Sequence, residues 1–296
     1  MKTSKKRYIF AILGNDKRLS SVSDELSKNG HLVRVIEDIG CSSAELFTRY
    51  DKAVSGSDFI ILPLPATRDG KHISTLSEKI KLCDIIELSK INGSIILGGL
   101  ISDDLKAYCK SIGVEIIDYY ALESIQAKNA LPSAEGALMI AMENTDITVK
   151  GMNALVCGYG KTGSLLADIL RKLEADVTVG ARRDETLCEL SIEGFKSVRL
   201  GDDTEALQNT VKDCDVIFNT VPARIFTKNL FDGSKKPPVY IEIASAPGGI
   251  DPSDARDCNI NIIFAPSIPS KYAPKTAGLY VFEAISEILE KRGMPI

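Results

Sequence analysis

Short, almost wholly apolar runs rich in Val and Ile recur along the chain, and between them apolar residues return every three or four positions. The runs at 8–13, 32–36, 59–62, 94–97 and 114–117 predict five strands. The stretch 74–90, with Leu76, Ile80, Cys83, Ile86 and Leu88 at helical spacing, predicts a helix among them. Strands apolar on both faces that alternate with helices build a parallel sheet covered on both sides. Five such strands suit a flavodoxin-like doubly wound domain.

A second series follows at 153–157, 176–179, 196–200, 215–219, 239–243 and 261–264. Six strands with intervening helices is the count of a Rossmann dinucleotide-binding domain. Between the two series stands Pro132-Ser133, a proline suited to a first helical turn beside a good N-cap, so a bridging helix is expected over 133–144. Leu279, Phe282, Ile285 and Leu289 repeat at helical spacing and predict a closing helix. The expected fold class is therefore α/β, with two doubly wound parallel-sheet domains: residues 1–128, flavodoxin-like, and 129–276, NAD(P)-binding.

The length of 296 residues agrees with two domains. Charges sum to −4, from 36 basic and 40 acidic residues, which gives no electrostatic reason for binding nucleic acid or an anionic membrane. No apolar run is long enough to span a bilayer, and the basic start Met1–Arg7 precedes too short an apolar stretch for a signal peptide. Seven cysteines lie singly with no C-x-x-C pair, the pattern of reduced thiols in a cytoplasmic protein rather than of disulfides or a metal site.

The most specific chemistry lies in Gly158-Tyr159-Gly160-Lys161-Thr162-Gly163, which ends an apolar strand and opens a helix. In that setting Gly158 makes the tight turn, Gly160 lets a pyrophosphate approach the backbone, and Gly163 lets helix and strand pack closely. The helix start then offers free N–H groups to the phosphates. Where a ribose-binding carboxylate would fall, the chain has Arg182-Arg183. A guanidinium fork suits a 2′-phosphate, so NADP is favoured over NAD. The alternative is that both arginines are solvated and pair with Asp184 and Glu185. Thr220, Val221 and Pro222, ending the fourth strand of this domain, are expected beside the nicotinamide ribose. Cys157 reads as packing.

These pieces, with Ile12–Arg18, Ile61–Thr67, Asn129–Gly136, Ala244–Gly249, Ala265–Pro269 and Ala273–Gly278, resemble the A subunits of dipicolinate synthase nearly end to end. Relatives of that family often carry arginine where this chain has Ala246. The resemblance implies an architecture similar to the D-2-hydroxyacid dehydrogenases, with the helix 277–296 returning to the first domain. It implies NADP-dependent oxidation of dihydrodipicolinate to dipicolinate, in the mother cell of a sporulating bacterium, beside a flavoprotein-like B subunit.

Both histidines, His31 and His72, precede residue 73, so the late histidine that serves as acid–base catalyst in hydroxyacid dehydrogenases is missing. Aromatisation of a dihydropyridine asks less of the protein, chiefly alignment of the reactants and a hold on two carboxylates. Groups expected at the strand ends facing an interdomain cleft are Arg18, Thr67, Ser133, Ser245, Lys275 and Thr276, with Arg68 a weaker candidate. Glu135 is the expected proton acceptor, and Lys275, in the loop entering the last helix, is a second catalytic candidate; a glutamate at 135 also serves a helix dipole. Two other readings stay open: a non-catalytic NADP-binding subunit supporting a flavoprotein, and a dehydrogenase of another small carboxylate. The sequence leaves the oligomeric state open, a homo-oligomer included.

Overall fold

The computed structural model describes residues 6–40, 43–73, 75, 79–201, 204–232 and 236–296. Residues 1–5 of the expected leader Met1–Arg7, Cys41, and Leu76 of the expected helix lie outside them. Contacts divide the chain into two units, residues 1–129 with 270–296, and residues 130–269.

In the first unit the apolar runs form β1 (Ile9–Ile12), β2 (Leu32–Val35), β3 (Glu45–Leu46), β4 (Phe59–Ile61), the ribbon strands β5 (His72–Ile73) and β6 (Ile80–Lys81), then β7 (Ile95–Gly98) and β8 (Ile116–Asp118). The main sheet runs β3-β2-β1-β4-β7-β8, all parallel. The five expected strands keep the flavodoxin-like order, and β3 is an added edge. Its two residues are both exposed and carry no periodic signal; pairing with Arg34 and Val35 alone makes them a strand.

The helix expected over 74–90 is corrected: it spans Leu82–Asn92, and β5 pairs antiparallel with β6 before it. Ile73 and Ile80 are buried opposite each other in that ribbon. The helix buries Leu82, Ile85 and Ile86, whereas Cys83 is exposed. Ile80 satisfies a helical spacing and a ribbon equally, and cross-strand pairing decided between them.

The bridging helix is also corrected, running as one element from Glu123 to Glu143 with Pro132 inside it. Residues 123–131 contain no glycine or proline and hold good helix formers, so the helix nucleates before the proline and tolerates one missing N–H. Ser133 is thus a mid-helix residue and not an N-cap. The closing helix begins earlier than expected and spans Pro274–Glu290, with the proline in its first turn. Its buried face is Ala277, Gly278, Val281, Ala284, Ile285, Ile288 and Leu289, so Leu279 and Phe282 sit at its margin. It packs on the helix Arg18–Lys28, where a Cβ on Gly278 would stand 2.2 Å from the Arg18 carbonyl oxygen. Gly278, closing the stretch Ala273–Gly278, therefore serves a backbone-to-backbone approach of two helices.

The second unit carries β9 (Asn153–Cys157), β10 (Asp176–Ala181), β11 (Lys196–Arg199), β12 (Val216–Asn219), β13 (Val239–Glu242) and β14 (Ile262–Phe264). The order β11-β10-β9-β12-β13-β14, all parallel, is the full dinucleotide-binding arrangement with its switch point between β9 and β12. Four strand residues in a row are buried in both β9 and β12, as a two-sided cover demands.

Candidate functional site

The glycine loop lies at the switch point. Gly158 leaves β9 at φ +96, donates its N–H to the Gly180 carbonyl at 2.8 Å, and has no room for a Cβ, which would meet Thr220 Oγ1 at 2.5 Å. Gly163 sits so close to the turn that a Cβ would lie 2.1 Å from the Gly158 oxygen. At Gly160 a Cβ would meet nothing within 4 Å, and this residue lines an open cleft of about 350 Å³. A side chain there would project into the space through which a ligand reaches the backbone; glycine leaves it clear. Gly160 is also the N-cap of the helix Lys161–Lys172 and offers no side-chain cap. The residues present therefore fit a pyrophosphate held at a helix N-terminus.

Around this loop, Lys161 is exposed and Thr162 half-buried in the first helical turn. The Tyr159 hydroxyl donates to Glu193, and its ring meets Phe195 edge-on at 6.0 Å. Burial, helped by the Glu193 hydrogen bond, pushes the phenol up to about 12. Thr220 Oγ1 donates to the Cys157 carbonyl at 2.7 Å and ties the end of β12 to β9. Val221 is buried on the cleft wall, and Pro222 is exposed beyond it. Cys157 is fully buried in the sheet.

The far wall of the cleft is Ala181, Arg182, Arg183, Thr186 and Leu200. Both arginines are exposed, and no carboxylate among the described residues pairs with either. Asp184, the nearest carboxylate in sequence, goes instead to Arg199 Nη2. None of the described residues lining the cleft is acidic.

Beside the glycine loop, the ends of β12 and β13 hold a buried polar cluster that the sequence pattern did not single out. Glu242, 4% exposed, accepts from Asn219 Nδ2 at 2.7 Å, Ala244 N at 3.2 Å, Gly249 N at 2.8 Å and the Tyr240 hydroxyl at 3.4 Å. Asn219 in turn donates to the Val221 carbonyl and accepts from its N–H. The cluster fastens the Asn219–Pro222 turn and the Ala244–Gly249 loop to one carboxylate. Burial pushes the Glu242 carboxyl above its ordinary range, against the pull of those donors. A Cβ on Gly249 would stand 2.3 Å from Tyr240 Oη, which explains the glycine that closes the stretch Ala244–Gly249. The available signal was a polar residue closing each of two apolar strands.

In the first unit, Arg18 is 3% exposed and grips Asp16 through Nε at 2.9 Å and Nη2 at 2.7 Å. Arg18 Nη2 also donates to the Leu64 carbonyl, while Asp16 accepts from Leu64 N at 3.1 Å and Ser270 Oγ at 2.9 Å. Burial raises the Asp16 carboxyl, but hydrogen bonds and charge from Arg18 outweigh it and hold the group below its ordinary range. Thr67 donates to Asp69, whose carboxylate also takes His72 Nδ1 at 2.7 Å and two backbone N–H groups. Lys275 and Thr276 are exposed in the first turn of the closing helix, and Lys275 lines a groove with Asn15, Lys17, Asp24 and Asp38.

The remaining candidates are in the second unit. Glu135 is exposed in the middle of the helix Glu123–Glu143, not in a first turn, and Ser133 is half-buried there. Ser245 is exposed, and its carbonyl accepts from Gly248 N at 3.2 Å. Among the described residues no group of His, Cys, Asp or Glu side chains could hold a metal ion, and no helix is long and apolar enough to cross a membrane.

Comparison with known proteins agrees with the sequence resemblance. The family model for the N-terminal domain of the dipicolinate synthase A subunit matches residues 9–120. The A subunit of dipicolinate synthase from Bacillus subtilis (strain 168) is 29% identical over 235 residues, 78% of this chain and 77% of that protein. The crystal structure of the corresponding A subunit from Bacillus halodurans superposes with a TM-score of 0.82 at 27% identity, covering 95% of this chain and 97% of the other. A D-lactate dehydrogenase from a Sporolactobacillus species has the same fold at 15% identity, with a TM-score of 0.63 over 96% of this chain and 97% of that one. The fold is thus dehydrogenase-like throughout, and the resemblance is to the A subunits of dipicolinate synthase.

Proposed function

We propose, from its likeness to the dipicolinate synthase A subunits, that this chain is an NADP-dependent oxidoreductase that converts dihydrodipicolinate to dipicolinate. The substrate loses one hydride and one proton, and the pyridine ring of the product becomes aromatic. When bound, NADP supplies the acceptor for the hydride. The observation that carries the cofactor choice is a cleft with a glycine loop on one side and Arg182 and Arg183 on the other. Among the described residues neither arginine has a carboxylate partner and none that lines the cleft is acidic.

The chain's own residues would then act as follows. The N–H groups opening the helix Lys161–Lys172 hold the pyrophosphate, and Arg182 and Arg183 hold the 2′-phosphate. Asn219 and Glu242 keep Val221 and Pro222 in place at the cleft edge. Arg18, kept in one orientation by Asp16 through Nε and Nη2, is the guanidinium to test as a substrate-carboxylate ligand. Thr67, Ser133, Ser245 and Thr276 are the further substrate ligands to test, Lys275 the cation and Glu135 the proton acceptor. The reading also places the chain in the cytoplasm of the mother cell, working with a flavoprotein-like B subunit.

The test supplies freshly generated dihydrodipicolinate and NADP to the purified chain, alone and with its B subunit, following NADPH absorbance and dipicolinate. Turnover by the chain alone is expected. Arg182→Ala with Arg183→Ala should weaken NADP binding about 10- to 100-fold, the scale of one lost charge-assisted contact or slightly more, and leave NAD binding nearly unchanged. Equal loss for both nucleotides would refute the 2′-phosphate role. A second reading draws on the absence of histidine from residues 130–269: a nucleotide-binding subunit whose partner does the chemistry. It predicts NADP binding without turnover until the B subunit is added.

A further inference from the structure

Arg199 is the only arginine of the β10–β11 edge with a defined carboxylate partner among the described residues, and that partner sits beside the two arginines that face the cleft. It is the last residue of β11 and stands in register with Ala181, the last of β10. From there Nη2 reaches Asp184, in the first turn of the following helix, and Nη1 donates to the Arg182 carbonyl at 2.8 Å. One guanidinium therefore holds both the backbone of the first cleft arginine and the first carboxylate after β10.

That carboxylate matters because of where it falls. A carboxylate just past this strand accepts from a ribose 2′-hydroxyl and repels a 2′-phosphate. Left unpaired, Asp184 would either do this or neutralise Arg182 and Arg183. Thr186 and Leu200, flanking Asp184 and Arg199 in sequence, both line the cleft, so the pair stands at its margin.

We infer that Arg199 is a positioning residue for nucleotide choice: by binding Asp184 it withholds the first carboxylate after β10 and leaves Arg182 and Arg183 for the 2′-phosphate. This rests on the NADP reading above. The pair is partly exposed, with side chains 36% and 80% accessible, so its effect is modest and falls with salt.

Calorimetric titration of the full chain with adenosine 2′,5′-bisphosphate and with adenosine 5′-monophosphate reads this without any turnover. Wild type should prefer the bisphosphate. Arg199→Met should reduce that preference about three- to fivefold, in line with one exposed ion pair. Adding Asp184→Asn to the same variant should restore it to within about twofold, because the offending charge is gone. Restoration separates this role from a merely structural one, since a damaged loop would not be repaired by removing a second side chain. A wild-type preference that Arg199→Met leaves unchanged, or that Asp184→Asn fails to restore, overturns the inference alone. A wild type with no preference overturns the NADP reading and this inference with it.

Discussion

Asp16 in the first unit and Glu242 in the second are both carboxylates buried at the carboxyl end of a strand, and the two are stabilised by different means. Asp16, just past β1, is matched by a guanidinium, two backbone N–H groups and the hydroxyl of Ser270. Glu242, ending β13, is matched by an amide, a phenol and two backbone N–H groups, with no cation bonded to it among the described residues. The consequence is a pair of opposite shifts: Asp16 is held below its ordinary range and Glu242 is pushed above it. Neutral donors satisfy the geometry of a carboxylate without offsetting the cost of burying its charge. Both carboxylates do the same mechanical work, fastening two loops at the strand ends where a dehydrogenase-like fold places its site.

The comparison breaks hardest at Asp16. Asp16→Ala leaves Arg18 buried without its counter-charge and should cost about 3–5 kcal/mol, read from denaturant unfolding. A loss under about 1 kcal/mol would mean that the pair is relaxed into water. Glu242→Gln keeps the shape but turns an NH₂ donor toward groups that donate, so about 1–3 kcal/mol should be lost. Gly249→Ala should cost a similar amount by pressing on Tyr240 and Asn219, and nucleotide affinity should fall with it because Val221 hangs from Asn219. Unchanged affinity in a folded Gly249→Ala variant would separate the loop from the nucleotide site.

The smallest effects are in the pH dependence, where the signs differ. The folded value of Asp16 lies below its ordinary 3.8, so its contribution is complete above about pH 4. It is lost as the pH falls through the folded value, and the stability gap between wild type and Asp16→Ala should shrink there. The folded value of Glu242 lies above its ordinary 4.5, so the folded protein binds that proton first as pH falls. The gap between wild type and Glu242→Gln should therefore widen between the folded value and 4.5. Gaps moving in the same direction would refute the contrast.

Strand positions, the glycine loop and the arginine pair could be read from local pattern, because apolar runs and backbone-driven motifs need only neighbours in sequence. The strand order of the second sheet followed from the strand count and the glycine motif together. Element starts were less readable: Pro132 resembles a helix start, Ile80 suits two structures, and β3 exists only through its pairing with β2. These depend on what else competes for the same residues, which a short stretch of sequence does not contain.

The polar partners were decided by tertiary structure alone. Asp16 accepts from a backbone N–H 48 residues away and from a hydroxyl 254 residues away; Asn219 meets Glu242 across 23. Arg182 and Arg183 could be named from sequence, but whether Asp184 would neutralise them depended on Arg199, 15 residues beyond it on the neighbouring strand. Hydrophobic periodicity records which face of an element is buried and so survives in the local sequence. A hydrogen-bond partner depends on which strand ends the sheet order brings together, and that is known only once the chain has folded.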